Sequence, residues 1–407
     1  MEIHQFYAQS IGVRAPWKVT NVKINAEKNQ VEVRVECKRT TNWVDPESKE
    51  RAHVHGWVER EWRHLDTCEY ETVIQAQVPR LKLKSGKTIQ AVVPWAEPGG
   101  RFTKRMESRI IEAIESCKTT VGAARLMRVS SDQIDGVMKR AVQRGLMRRR
   151  PSFMTRVGLD EKALRKHHHY ATILTDIDDS KIYEVVEGRT KTAATQLLTD
   201  LPEDIRESIE AVAMDMWKGY ITAVQETLPN ADIVFDKFHV AQHLHKALDR
   251  VRIQENRELR AEGNDILKGT KYFWFRTYAD KRSKAAVEFR KYLNADLRTG
   301  VAWSLKESFK RFWDYKSWSA AIRFVDAWIG SIYDSGLKPL ERVAQMVDEH
   351  IVGLLNHLIH PITNAAAEGL NASIQGLRTA ARGLPKFETF RIRILFHLGK
   401  LQLQPAR

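Results

Sequence analysis

Three acidic residues stand where the sequence could support metal-dependent chemistry. Asp160 closes the apolar run VGL and Asp215 closes the run AVAM, so each follows a predicted strand, while Glu368 lies among small residues in NAAAEGLN. Carboxylates at neighbouring strand ends could hold two divalent metal ions about 4 Å apart, which suits phosphodiester chemistry. Each acid also has an ordinary interpretation, as a cap of the next element or, for Glu368, as a charge at the positive end of a helix. The residues alone leave these alternatives open.

Strand and helix signals alternate between residues 153 and 238, which predicts an α/β layer that would carry the first two acids. The predicted strands are 157–160, 170–176, 181–186, 209–214 and 232–235, and the predicted helices are 192–198 and 220–228. Residues 239–360 are expected to be helical throughout, with five of the eleven tryptophans packing a core of their own. Residues 361–407 are expected to add a helical stretch that bears Glu368 and a basic tail.

The chain before residue 150 divides into two predicted domains. Residues 1–98 are β-rich, as the alternation of VEVRV at 31–35 illustrates, and PWAEPGG at 94–100 indicates a linker. Residues 101–150 hold thirteen Lys or Arg against five Asp or Glu, with helix patterns at about 105–116, 119–127 and 130–144. Ser130 and Gln133 have capping-box spacing at the start of the third helix. Three short helices with a basic face predict a helix-turn-helix reader of DNA, and a plain helical linker domain is the alternative.

The third predicted helix carries an apolar stripe, and we expect its opposite face to meet DNA. The candidate DNA-contacting residues of the second and third helices are Arg125, Arg128, Gln133, Lys139, Arg140 and Arg144. Lysine and arginine neutralise phosphates, whereas Gln133 lies near the helix start, where base edges are usually met.

Composition limits the partners and the compartment. The 407 residues carry a formal net charge of +15, which favours a polyanion because each neutralised phosphate releases counterions, although a merely basic protein is the alternative. The three cysteines are widely spaced and form no Cys-x-x-Cys pair, which argues against a disulfide framework. The start lacks signal-peptide features and no apolar run is long enough to span a membrane, so we expect a cytoplasmic, nucleoid-associated protein without a membrane partner.

Five short motifs together resemble one family. The segments are VGLDE at 157–161, MDMWKGY at 214–220, LPNA at 228–231, DKFHV at 236–240, and TN with EGLN between 363 and 371. They are similar to the motifs of insertion-sequence transposases of the DDE type, specifically the ISL-three family, and the resemblance extends from about Trp62 to Lys400.

The resemblance implies both a fold and a site. The fold is a multi-domain α/β protein, with a ribonuclease-H-like catalytic core interrupted by a helical insertion and preceded by the β-rich domain and the helix-turn-helix. The site consists of Asp160, Asp215 and Glu368 as catalytic acids that hold two Mg²⁺ or Mn²⁺ ions. Candidates for supporting residues beside the site are Asp236, His239 and Asn371, although a structural hydrogen bond at a strand end is an equal interpretation of Asp236 and His239. Glu161 is a weaker candidate than Asp160, because successive strand side chains point to opposite faces.

One departure from the family concerns zinc. Relatives usually begin with a zinc-binding module that carries cysteine pairs, whereas residues 38–50 contain no cysteine and LKLK at 81–84 stands where a cysteine is expected. We therefore expect that the N-terminal domain keeps its strands and that zinc is unlikely. A residual site built from Cys37, His53, His55 and Cys68 is the alternative.

The sequence as a whole predicts a DNA transposase. It would bind the ends of an insertion sequence, cleave the DNA there and join the freed 3′ hydroxyl to target DNA, as a homodimer or larger synaptic assembly. A non-catalytic regulator derived from a transposase and a resolving nuclease on the same fold are the alternatives. The expected domains are 1–98 (β-rich), 101–150 (helix-turn-helix), 153–238 (first part of the core), 239–360 (helical insertion) and 361–407 (last part of the core).

Overall fold

The computed structural model describes residues 2–45, 50–150, 153–165, 169–276, 284–362, 365–381 and 386–406, with 165, 169, 285 and 365–368 described by backbone alone. The chain divides into two units. The first comprises residues 1–149, 375–384 and 388–407, and the second comprises residues 150–374 and 385–387. None of the described helices combines the length and apolar character that a membrane crossing requires.

A six-stranded sheet forms much of the first unit. Its elements are α1 (Ile3–Ile11), β1 (Trp17–Asn25), β2 (Gln30–Cys37), β3 (Trp43–Val44), β4 (Arg51–Arg63), β5 (Glu71–Lys82) and β6 (Thr88–Gln90). The strand order is β1-β2-β5-β4-β3, with β6 on β5. Alternate residues of β5 are buried, and Trp17, Trp62 and Trp95 pack edge to face in the core. The β-rich expectation is confirmed, but the pattern does not predict α1, because only Tyr7 and Ile11 of that helix are buried.

Three helices follow in the first unit. They are α2 (Lys104–Cys117), α3 (Thr120–Met127) and α4 (Ser131–Met147), which confirms the predicted helix-turn-helix elements. Thr103, Thr119 and Ser130 cap the amino ends by accepting backbone N–H hydrogen bonds, and Ser130 with Gln133 forms the predicted capping box.

The second unit contains a five-stranded mixed sheet. Its strands and the helices between them are β7 (Arg156–Arg165), β8 (His169–Asp176), β9 (Lys181–Glu187), α5 (Lys191–Thr199), α6 (Glu203–Ser208), β10 (Ala211–Met214), α7 (Lys218–Thr227) and β11 (Asp232–Phe235). The spatial order is β11-β10-β7-β8-β9, in which β7, β8 and β9 are antiparallel and β10 and β11 run parallel to β7. This topology agrees with the ribonuclease-H-like core that the resemblance implies.

Strand β7 is longer than the sequence predicts. The apolar run stops before Asp160, but the strand continues to Arg165. It does so because β8 pairs with β7 along its length. Backbone hydrogen bonds to β8 keep Glu161 and Lys162 in the strand, although neither side chain is apolar. Asp160 therefore lies inside β7, at the point where the parallel ladder with β10 ends.

Helices make up most of the rest of the second unit. They are α8 (Lys237–Ala261), α9 (Lys271–Phe275), α10 (Lys284–Leu293), α11 (Arg298–Phe309), α12 (Trp318–Asp334), α13 (Lys338–Glu349) and α14 (Ile351–Leu355). The expectation of a separate helical core is wrong, because buried residues such as Trp274, Phe309 and Trp328 belong to one continuous apolar cluster with the sheet residues Leu159 and Met214.

The last two helices complete the described elements of the chain. They are α15 (Ala365–Ala380) and α16 (Phe387–Leu398). Residues 388–407 belong to the first compact unit, whereas residues 361–374 belong to the second. Arg393 of α16 is buried and donates to Thr120 Oγ1 at 2.9 Å, and Gly145 of α4 lies against Leu401, where a Cβ would approach the Leu401 side chain to 2.7 Å. The C-terminal segment thus packs on the helix-turn-helix.

Candidate active site

Strand register brings three aspartates to one edge of the five-stranded sheet. Leu159 pairs with Met214 in the β7–β10 ladder, and Met214 pairs with Phe235 in the β10–β11 ladder. The next residue after each of these three is an aspartate: Asp160, Asp215 and Asp236. Because neighbouring strands lie about 4.8 Å apart, the three aspartates form a row at this edge. The expectation that the strands carrying Asp160 and Asp215 are neighbours is confirmed.

The row borders a cavity of about 500 Å³ in the second unit. Its polar lining comes from the sheet, the start of α8 and helix α15, and includes Asp160, Lys162, Asp215, Asp236, His239 and Asn371. Asn371 donates from Nδ2 to Asp160 Oδ2 at 2.9 Å, and Lys162 Nζ lies 3.6 Å from the same oxygen. The Asp160 side chain is still 42% exposed, so it remains open to a ligand.

The other acids of the row are held by backbone N–H groups. Asp215 Oδ1 accepts from Trp217 N at 2.8 Å, which fixes the carboxylate in the turn before α7. Asp236 Oδ1 accepts from Phe238 N at 2.8 Å and caps α8. Asp236 therefore makes the structural hydrogen bond that the sequence left as one of two interpretations, while it also lines the cavity.

Glu368 is described by its backbone alone. It belongs to α15, three positions before Asn371, and its side chain lies outside the described residues. Within the part of the chain whose side chains are described, no three His, Cys, Asp or Glu residues form a metal-ligand group.

Glu161 occupies a different environment from its neighbour Asp160. It forms an ion pair with Arg189 at 2.9 Å and does not line the cavity, as expected for the opposite face of β7. Burial, together with the charges of Asp215 and Asp160, raises its pKa to about 7, although Arg189 acts in the opposite direction. Arg189 also lies over the ring of Trp217 at 5.3 Å, so Trp217 packs within the protein.

Sequence reasoning missed one residue that lines the cavity and one that pairs with Glu161 outside the cavity lining. Lys162 lines the cavity two positions after Asp160, and the period-two rule for strand faces could have identified it. Arg189 lies in the loop before α5, and no sequence signal links it to Glu161 or Trp217.

Helix α4, which the sequence predicts to meet DNA, differs from its prediction in where its arginines lie. Arg144 is only 9% exposed, and both Arg144 and Arg140 pair with Glu107 of α2, which is itself 1% exposed. The expectation that Arg144 lies on a free outer face is wrong, because the buried Glu107 carboxylate draws both guanidinium groups towards α2. Lys139 is exposed, as predicted.

The other DNA-contacting candidates also differ in their surroundings. Arg125 is exposed on α3. Arg128 is exposed but pairs with Asp66 at 3.1 Å. Gln133 accepts a hydrogen bond from Ser130 N in the capping box.

Three family models match the chain in order. A zinc-finger family of the transposases of IS204, IS1001, IS1096 and IS1165 matches residues 42–84, and the helix-turn-helix domain of transposase family ISL3 matches residues 91–142. The ISL3 family of the DDE type, described as a transposase, matches residues 157–394, which is more than half of the chain.

Individual transposases are similar over most of their length. The transposase of insertion sequence element IS1001 from Bordetella parapertussis is 26% identical over 347 residues, which cover 84% of this chain and 85% of the relative. The transposase of element IS1557 from Mycobacterium tuberculosis is 23% identical over 372 residues, which cover 85% and 81% of the two chains.

The zinc-finger match corrects the cofactor expectation. Zinc was expected to be unlikely because cysteine pairs are missing, but residues 42–84 match a family of zinc fingers, so the family implies zinc binding. The described side chains of this segment do not offer a ligand set: Cys68 is exposed, and His64 Nδ1 is hydrogen-bonded to Thr103 at 2.8 Å.

Proposed function

The chain belongs to the ISL3 family of DDE transposases, and from that premise we propose that Asp160, Asp215 and Glu368 carry its DNA cleavage and strand transfer. The observation that supports this assignment most strongly is the register of β7 and β10, which aligns Asp160 with Asp215. Glu368 is added by its spacing from Asn371: positions three apart share one side of a helix, and Asn371 donates to Asp160.

The carboxylates of this edge suit the divalent metal ion that the family implies. Hard divalent cations take oxygen ligands and are often held by only a few carboxylates, and Asp160 and Asp215 border the same open cavity. Asp160, Asp215 and Glu368 would hold the ion, which when bound supplies charge stabilisation at the phosphate oxygens and polarises the attacking oxygen.

The chain's own residues would keep these acids in position. Asn371 orients Asp160 through its hydrogen bond, and the Trp217 N–H fixes Asp215. Lys162 beside Asp160 offers a positive charge to the DNA backbone in the same cavity. Asp236 and His239 line the same cavity and would stand along the path of the DNA beside the acids that hold the ion.

The helix-turn-helix binds DNA, and the element ends are the sequence that we expect it to read. Lys139 and Arg125 are the exposed candidates for contacts on its outer surface. Because two ends must be cut and joined together, a homodimer or larger assembly on the bacterial nucleoid is part of the proposal.

Separate Asp160→Asn, Asp215→Asn and Glu368→Gln variants test the assignment. Each should reduce cleavage and strand transfer on element-end DNA by at least about 10³-fold. The three acids would act together, so removing any one of them should cost about as much activity as removing all three. Binding to the same DNA should stay within about 2-fold of wild type, since phosphate contacts by lysine and arginine dominate DNA affinity.

The matched control is Glu207→Gln, which removes an exposed acid of the second unit away from the cavity. It should cut and join like wild type. A folded variant of any of the three acids that joins DNA at the wild-type rate removes that residue from the site. Cleavage without joining by the wild-type chain would favour the resolving nuclease instead.

A further inference from the structure

The surface of α4 offers few cations for a DNA duplex to contact. Its exposed residues include Asp132, Asp135 and Lys139, whereas Arg140 and Arg144 share the buried Glu107. Because lysine and arginine contacts to phosphates supply most of the affinity for a duplex, we expect other parts of the first unit to add such contacts to that of Lys139.

A groove in the first unit brings several cations together. It has a volume of about 770 Å³ and is lined by four cations, Arg14, Lys104, Arg105 and Arg109, against a single carboxylate among the described lining residues, Glu112. Arg14 and Arg105 are exposed, and Arg109 pairs with Glu112 at 2.7 Å.

A buried histidine next to the groove is neutral at physiological pH. Burial and the charges of Arg105 and Arg63 together lower the pKa of His64 to about 4. A neutral His64 adds no charge beside the groove, whose described charged lining consists of the four cations and Glu112.

The groove and the recognition helix lie on different sides of α2. Glu107 faces α4, while Lys104, Ser108 and Glu112 of the same helix line the groove. An α-helix is about 10 Å across, so the groove lies roughly one helix diameter from the α4 side of α2. A helix in the major groove, which is about 12 Å wide, has phosphate backbone on both sides. The spacing therefore suits a backbone contact beside α4.

The C-terminal tail forms one wall of the groove through Pro405 and Ala406. Two arginines at the end of α4 anchor this tail, since Arg144 donates to the carbonyl of Leu403 and Arg148 donates to the carbonyl of Gln404. The position of the wall is thus coupled to the recognition helix.

We propose that this groove, between α1, α2 and the C-terminal tail, binds the phosphate backbone of the element-end duplex beside the bases that α4 reads. The inference rests on the proposed end binding and adds the surface that supplies its phosphate contacts. DNA is favoured over an acidic protein because the groove and the helix-turn-helix share one unit, and the chain as a whole carries a net charge of +15.

The test compares two double variants of the full chain by salt-dependent binding to an element-end duplex and to an unrelated duplex. Arg14→Gln with Arg105→Gln removes two groove cations, and Lys23→Gln with Lys28→Gln removes two exposed cations of the same unit outside the groove. Log affinity falls as log salt concentration rises, by about 0.9 for each phosphate contact. The groove variant loses two contacts, so its slope should be shallower than that of wild type by about 1.8 on both duplexes. The ratio of wild-type affinity to variant affinity should therefore fall about 10-fold between 50 and 200 mM salt. The control should keep the wild-type slope.

A third variant keeps the test independent of folding. Glu112→Gln removes the groove carboxylate and should tighten binding about 2-fold, which a misfolded protein cannot do. A groove variant that matches the control, together with an unchanged Glu112→Gln affinity, overturns the inference while end binding stands. A wild-type chain that does not bind element ends overturns the proposed end binding and this inference with it.

Discussion

The sheet edge with its aspartates and the recognition helix α4 both gather like charges, but by different means. At the sheet edge, the backbone ladder places Asp160 beside Asp215, and short side chains leave little choice of direction. On α4, the long side chains of Arg140 and Arg144 turn away from the outer face to reach Glu107. The position of an aspartate in a strand register therefore predicts where its carboxylate lies. The position of an arginine on a helix does not predict where its guanidinium group lies, because the side chain is long.

The largest expected effect is the loss of the Glu107 ion cluster. Glu107→Ala leaves Arg144 buried without its carboxylate, and breaking a buried pair in this way costs about 3–5 kcal/mol in the free energy of unfolding. Chemical denaturation of the full chain, followed by a signal from the first unit, measures it. Glu36→Gln, which breaks an exposed pair with Arg34, should change stability by less than about 1 kcal/mol. Equal stabilities of the two variants would contradict the buried cluster.

A smaller effect should follow from crowding the support of Asp215. A Cβ on Gly219 would lie 2.3 Å from the ring of Trp217. The backbone N–H of Trp217 donates the hydrogen bond that holds the Asp215 carboxylate. Gly219→Ala should therefore shift Asp215 and reduce cleavage about 10- to 100-fold, since displacement of a catalytic group by about 1 Å can have that effect. Single-turnover cleavage rates measure it, with DNA binding as the reference.

The matched control for this glycine is Gly330→Ala in α12, where nothing lies within 4 Å of the added Cβ. It should leave cleavage unchanged and stabilise the helix by about 0.5–1 kcal/mol. If Gly219→Ala cleaved DNA as fast as Gly330→Ala, Trp217 would have no part in positioning Asp215.

The smallest effect separates two neighbouring cations of α4. Lys139 is exposed, so Lys139→Gln should lower the salt dependence of DNA binding by about one phosphate contact while the melting temperature stays unchanged. Arg140→Gln should instead lower the melting temperature, because Arg140 supports Glu107. If Arg140→Gln instead lowered the salt dependence of DNA binding and left the melting temperature unchanged, Arg140 would contact DNA as the sequence predicts.

Parts of the fold follow directly from sequence pattern. The strand at 232–235 and the capping box of α4 agree with prediction because both depend on local spacing. The continuation of β7 past Asp160 depends on pairing with β8, and the burial of Arg144 depends on Glu107 and on a carbonyl 259 residues away. Neither dependence leaves a periodic signal, so neither could be predicted from one sequence.

The candidate site shows the same division. The apolar runs place Asp160 and Asp215 at the ends of predicted strands, but only the family resemblance joined them in one site, and Lys162 could have been added by strand parity. Arg189 and the C-terminal wall of the groove beside α2 could not be predicted, since each lies far along the chain from the residues that it contacts.

Metal rescue by sulfur ligands tests the central claim most directly. Asp160→Cys, Asp215→Cys and Glu368→Cys each replace an oxygen ligand with a softer one, which binds Mg²⁺ poorly but accepts Mn²⁺ better. Each cysteine variant should be inactive in cleavage with Mg²⁺ and should recover activity with Mn²⁺, while the corresponding alanine variants stay inactive with both ions. A cysteine variant at any of the three positions that is fully active with Mg²⁺, or that behaves like its alanine variant with both ions, would contradict the assignment of that residue to the site.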